Sequence, residues 1–208
     1  MEPGSRRLIT AIAAGVMIVL AALSLTLPWY VVGSPESPSR DGLLINFYVD
    51  YIEMFRIENG SVWPSERLSY ESPQAASIGM LFGTVFVLEG LVALAALLLM
   101  TTTIVLKVVP RRGYIVKRVL LTTMIFGNWA VVVLFMVMLP TAMQAMQEWP
   151  SGFFATQDID WAGVVQTYGP GSGWLISFAS AALAVVVAIA EWTRRVSADE
   201  VKIGADGP

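Results

Sequence analysis

Apolar residues gather in four long runs, Leu8–Val32, Ala76–Leu106, Ile115–Pro140 and Trp174–Trp192, and the segments between them carry nearly all the charge. Each run is long enough to cross a hydrocarbon layer, which takes about 20 helical residues. Between the first two runs the period changes. Ile45, Phe47, Val49 and Tyr51 occupy alternate positions within Leu43–Glu58, the spacing of a strand with one buried face. Asn59-Gly60 follows, then Ser61-Val62-Trp63 and a run to Tyr70. An Asn-Gly pair between strand-prone stretches predicts a hairpin, because both residues tolerate positive φ. The competing reading is an amphipathic helix over part of Leu44–Phe55, with Leu44, Tyr48, Tyr51, Ile52 and Phe55 on one face. The pattern predicts an all-α membrane fold forming a single domain over residues 1–208. It is a four-helix transmembrane bundle with a small β-hairpin or sheet from loops 33–75 and 141–173.

Charge orients the bundle. Arg6 and Arg7 precede the first run, Arg194 and Arg195 follow the fourth, and the segment Lys107–Arg118, which reaches into the start of the third run, holds Lys107, Arg111, Arg112, Lys117 and Arg118 without an acid. Short loops rich in lysine and arginine stay in the cytoplasm. Both termini are therefore expected inside, and loops 33–75 and 141–173 outside. The first of these sets Glu36, Asp41, Asp50, Glu53, Glu58, Glu66 and Glu71 against Arg40, Arg56 and Arg67; the second holds Glu148, Asp158 and Asp160 and no base. The extracytoplasmic side is acidic. The first run is longer than a signal-peptide core and leads into Pro28-Trp29-Tyr30 rather than a small-residue cleavage site, so it reads as a retained span. Residues 196–208 are short and polar and read as a disordered cytoplasmic tail.

Composition narrows the chemistry. Net charge is −3 and mean hydropathy +0.66, as befits an integral protein of the cell membrane. There is no Cys and no His. That excludes disulfides, Cys/His zinc sites, iron–sulfur clusters and haem ligated by His or Cys. The loop acids Glu148, Asp158 and Asp160 read as solvated rather than metal-binding. No metal or cofactor is expected, and the only basic cluster would lie against lipid headgroups, not nucleic acid. No nucleophile–base set or phosphate-cradling loop can be named, so the chain is read as non-enzymatic.

Several residues stand out within this frame. Trp29, Tyr30 and Trp174, with Tyr114 and Trp192 at the opposite boundary, lie where amphipathic rings anchor at an interface. Gly79 and Gly83 form a GxxxG in the second run; Ala11 and Gly15, and Ser180, Ala184 and Ala188, have similar spacing. Such positions let helices approach closely in lipid. Asn59-Gly60-Ser61 is also a glycosylation sequon. Trp63, Trp149, Phe153, Phe154 and Trp161 are candidates for an outer interaction surface, and Tyr168 to Gly173 is a Gly/Pro-rich break before the fourth span.

Glu89 is the one ionisable residue deep in a run, and Asn128 lies about as deep in the next. Counting 1.5 Å per residue puts both near the bilayer midplane, where an interhelical Glu89–Asn128 bond is expected. Thr84, Thr122 and Thr123 are the other polar residues near that depth. Two readings stand: a pin that fixes helix register, or a proton or cation site of a small transporter or channel. A transporter calls for more convergent polar groups and a broken helix, which favours the pin.

Four spans, cytoplasmic termini, a larger first outer loop and a Gly-rich entry to the fourth span resemble the claudin and peripheral-myelin-protein class. The family's W–GLW–C–C signature is absent, since the chain lacks Cys. The resemblance implies a left-handed bundle under a small sheet, and a role in adhesion, barrier formation or as accessory subunit of a membrane complex. Its partners would be the bilayer, other proteins or further copies of itself.

Overall fold

The computed structural model describes residues 3–33, 42–58, 61–71, 75–105, 111–144, 152–159 and 164–205. Four helices dominate: α1 (Pro3–Thr26), α2 (Ala76–Val105), α3 (Arg111–Gln144) and α4 (Ser172–Ala205). All four are long and apolar enough to cross a membrane, which marks a multi-pass integral membrane protein. They close into a ring in which α2 packs on α1 and α3, and α4 packs on α3 and α1. Leu8, Ile12, Val19, Met80, Val87, Phe126 and Ile189 point outward, as lipid-facing positions must. At the far end of the ring the Thr10 hydroxyl donates to Glu191 Oε1 at 2.6 Å, joining α1 to α4.

The first span is shorter than its apolar run. α1 stops at Thr26, and Tyr30–Gly33 is strand β1. Pro28 has no N–H to continue the ladder, while Ser24 and Thr26 hydroxyls donate back to the Ala21 and Leu23 carbonyls at 2.8 and 2.9 Å in the last turn. The third span is longer than predicted. α3 runs through Pro140 to Gln144, accepting one lost backbone bond. Its last turn is held by buried Met143 and by the Ser77 hydroxyl, which donates to the Ala142 carbonyl at 3.2 Å.

The connectors at the sheet end build one antiparallel sheet. β1 is joined by β2 (Gly42–Phe47), β3 (Tyr51–Glu58), β4 (Ser61–Ser69), β5 (Ala155–Ile159) and β6 (Val164–Pro170), in the order β4-β3-β2-β1-β6-β5. The predicted hairpin between β3 and β4 is present, since Glu58 pairs with Ser61. Asn59 and Gly60 themselves lie outside the described residues. The stretch Leu43–Glu58 is two strands rather than one, turning at Tyr48–Asp50, where Tyr48 N–H donates to the Tyr51 carbonyl at 2.9 Å. The helical alternative is not adopted, because Leu44 and Phe55 face each other across β2 and β3. The Gly/Pro segment is also more regular than its composition suggests. Tyr168-Gly169-Pro170 completes β6, and Gly171 alone joins it to α4.

Alternation places Tyr30, Val32, Phe47 and Ile52 on the sheet face that meets the bundle, in one core with Phe82, Phe135, Leu139 and Trp174. Burying these large side chains supplies roughly 1.5–3 kcal/mol each against leaving them in water. The sheet is therefore fixed to the bundle as a cap.

Candidate functional site

Two places combine chemistry with a defined geometry: the seat of the sheet, with the surface above it, and a polar level inside the bundle. The seat begins at the last turn of α1. Trp29 is fully buried, donates from Nε1 to the Ser24 carbonyl at 2.7 Å, and meets Phe135 edge-on at 5.2 Å. Tyr30 donates its hydroxyl to the Phe153 carbonyl at 2.9 Å. Burial, and then the neighbouring Tyr168, hold the Tyr30 phenol well above the ordinary tyrosine range. Trp174 donates from Nε1 to the Val132 carbonyl at 3.3 Å. Trp29, Tyr30 and Trp174 are thus core residues of the junction, not lipid-interface anchors. Each is enclosed because the sheet covers the position that an interfacial ring would occupy. The side chains of Tyr114 and Trp192 lie outside the described set.

Backbone closeness sets the same junction. Gly171 N–H donates to the Trp29 carbonyl at 2.9 Å, and Gly173 N–H to the Pro28 carbonyl at 2.8 Å. A Cβ on Gly173 would stand 2.8 Å from the Leu27 and Ser24 carbonyl oxygens, so only glycine fits there.

Above the seat, the sheet's far face carries a shallow apolar concavity of about 420 Å³ lined by Val31, Gly33, Leu44, Ile57, Thr167 and Gly169. Arg67 lies over the Tyr51 ring at 3.4 Å, and Arg56 pairs with Glu58 at 2.8 Å. At the β4 edge, Val62 and Trp63 are 55% and 59% exposed. Phe154 is exposed, but Phe153 is buried against Tyr30, Phe135 and Trp174. Phe153 is therefore removed from the interaction candidates, because its ring fills the seat. Trp149 and Trp161 lie outside the described residues.

The polar level draws on all four helices. Glu89 (α2), Asn128 (α3), Ser24 (α1), and Ser177 and Ser180 (α4) are each fully buried. The expected Glu89–Asn128 bond is not formed. Ser177 donates its hydroxyl to Glu89 Oε1 at 2.6 Å. Asn128 donates from Nδ2 to the Met124 carbonyl of its own helix at 2.8 Å. Ser24 stands beside the Glu89 carboxyl. Glu89 Oε2, Asn128 Oδ1 and Ser180 Oγ are buried without a partner. Ser24 lies in the last turn of α1 and Ser177 in the second turn of α4, so the level is near the sheet end of those two helices, while Glu89 and Asn128 lie near the middle of the longer α2 and α3. Thr84, Thr122 and Thr123 are exposed and do not belong to the level. Ser24 and Ser177 were missed, and Ser180 was read only as a packing position; the Ser177/Ser180 spacing on an otherwise apolar helix is the signal that could have found the α4 pair.

Within the chain the GxxxG pair does not pack helix on helix. A Cβ on Gly79 would meet the Tyr70 Cβ at 2.7 Å, and Gly83 has no neighbour within 4 Å. Close helix approach occurs instead at Gly127, whose Cβ would meet Val92 at 2.7 Å. The Ser180–Ala184 stripe does face inward.

No protein-family model matches the chain, and no curated protein is significantly similar to it.

Proposed function

We propose that the chain is a non-enzymatic protein of the cell membrane that works by protein–protein association through its sheet, as an adhesion or barrier protein or an accessory subunit. The carrying observation is the open edge of β4, where Val62 and Trp63 are exposed on a sheet whose other face is locked to the bundle. Free sheet edges and exposed aromatic residues are what association surfaces use. The positive-inside distribution of Arg6, Arg7, Arg111, Arg112, Arg194 and Arg195 supports a cytoplasmic far end and an extracytoplasmic sheet. That layout, helix ring below and loop-built sheet above, is also what a claudin-like reading expects. The rival, ion-coupled transport through Glu89, gains little from α2 and α3, which run unbroken past that depth.

The test is Val62→Glu with Trp63→Glu. Both side chains are exposed, so stability should change by no more than about 0.5 kcal/mol. In mild detergent the native chain should migrate in an assembly larger than one protomer and its lipid belt, and the double variant should migrate alone. An unchanged assembly mass in the variant, or a solitary native chain, would overturn the proposal.

A further inference from the structure

At the level of Glu89 the protein's own donors and acceptors do not balance, and the imbalance has a definite composition. The five oxygen-bearing side chains there are fully buried. They are also close together. Ser180 lies one turn along α4 from Ser177, which holds Glu89 at 2.6 Å. Gly127, beside Asn128, abuts Val92, one turn along α2 from Glu89. A turn is about 5.4 Å.

Among the described residues no charge is brought to the carboxyl. The polar groups that reach it are Ser24 from α1, Asn128 from α3, and Ser177 and Ser180 from α4, and Glu89 is the one fully buried carboxyl, lysine or arginine among the described residues. An uncompensated carboxylate in such surroundings costs several kcal/mol.

The hydrogens already committed show what is missing. Asn128 uses an amide hydrogen on the Met124 carbonyl, and Ser24 gives its hydroxyl hydrogen to the Ala21 carbonyl at 2.8 Å. Glu89 Oε2 and Asn128 Oδ1 are left as two acceptors with nothing to accept, and Ser180 as a hydroxyl with nowhere to donate. A proton on Oε2 removes the charge; the Ser24 oxygen stands beside the carboxyl, but Oε2 forms no bond with it or with another protein group. One water would close the set, accepting from the Glu89 carboxyl and the Ser180 hydroxyl and donating to Asn128 Oδ1, with the three bonds typical of a buried water.

We propose that this level is a binding site for one proton, held by Glu89 as the carboxylic acid, together with one enclosed water. The site goes beyond the association reading and does not depend on it. Its occupant neutralises the bundle where α1 hands over to the sheet, one carbonyl from Trp29.

Infrared spectroscopy of the full chain in mild detergent tests the assignment. At about pH 8, exposed Asp and Glu are ionised, so a carboxylic-acid C=O band should report Glu89 alone. The expected result is one such band, lost in Glu89→Gln and displaced in Asn128→Leu and Ser180→Ala. A wild-type spectrum with carboxylate bands only overturns the proton, whether or not Glu89→Gln folds. A band unmoved in both Asn128→Leu and Ser180→Ala overturns the water. A third arm compares thermal midpoints in sodium and choline chloride at equal ionic strength, expected to agree. A sodium-specific rise that Glu89→Gln abolishes would assign the site to a metal cation instead.

Discussion

Tyr30 and Tyr70 hold the sheet through the same device, a phenol whose hydroxyl reaches a backbone carbonyl more than twenty residues away. Tyr30 bonds Phe153 at 2.9 Å, and Tyr70 bonds Tyr48 at 2.6 Å while stacking on Phe82 at 5.3 Å. Removing one hydroxyl leaves a carbonyl unpaired, at about 1–3 kcal/mol. Tyr30→Phe and Tyr70→Phe should each lower stability by that amount, measured as the loss of near-ultraviolet dichroism on heating in detergent. The same two residues give a pH dependence. Burial is the main cause that raises both phenols above their ordinary value, with Tyr168 adding to Tyr30 and Asp50 to Tyr70. The folded state therefore binds more protons than the unfolded state in alkali. Their contribution is complete below about pH 10, the unfolded value, and declines as pH rises beyond it. The phenolate absorbance of Tyr30 and Tyr70 in alkali should therefore rise only together with unfolding. A single early rise, with the sheet still folded, would contradict the burial argument.

Among the elements, α2 best separates what a motif suggests from what its surroundings impose. Gly79 and Gly83 are equivalent in sequence, yet Tyr70 fills the space above one and nothing fills the space above the other. Gly79→Ala should destabilise by more than about 1 kcal/mol through that clash. Gly83→Ala should be neutral, or stabilising by up to about 1 kcal/mol from helix propensity; a thermal-shift comparison decides. Gly173→Ala should be worst of the three, because its obstacles are backbone oxygens that cannot rotate away. The helices themselves were legible, since an apolar run of span length has few other fates in a protein. The β3–β4 hairpin was legible too, because Asn-Gly announces its own turn. The Tyr48–Asp50 turn was not, as it is closed by a backbone bond and not by a turn-forming pair. Nor was the burial of Trp29 and Phe153, which depends on a sheet assembled from both connectors. The partner of Glu89 lay on α4, eighty-eight residues away. Depth counted along α2 and α3 could not find it, because Ser177 lies only two turns into α4.

At the scale of the whole molecule, charge and shape give one polarity. The sheet joins the ends of all four helices at Thr26, Ala76, Gln144 and Ser172, and the basic residues Arg111, Arg112, Arg194 and Arg195 belong to the helix segments at the other end. If insertion follows the positive-inside rule, the sheet is delivered outside and the two basic segments stay in the cytoplasm. The chain has no Cys, so single cysteines report topology without background. Ser61→Cys, at the exposed start of β4, should react with a membrane-impermeant maleimide in intact cells. Lys107→Cys and Ser197→Cys should react only after permeabilisation. The opposite pattern would put the sheet in the cytoplasm and remove the adhesion and barrier readings, leaving association with a cytoplasmic partner as the only use for the β4 edge. Reaction of all three sites in intact cells would be stronger still. It would mean that the basic connector crosses or lies outside the membrane, and that the four helices do not insert as a single up-and-down bundle.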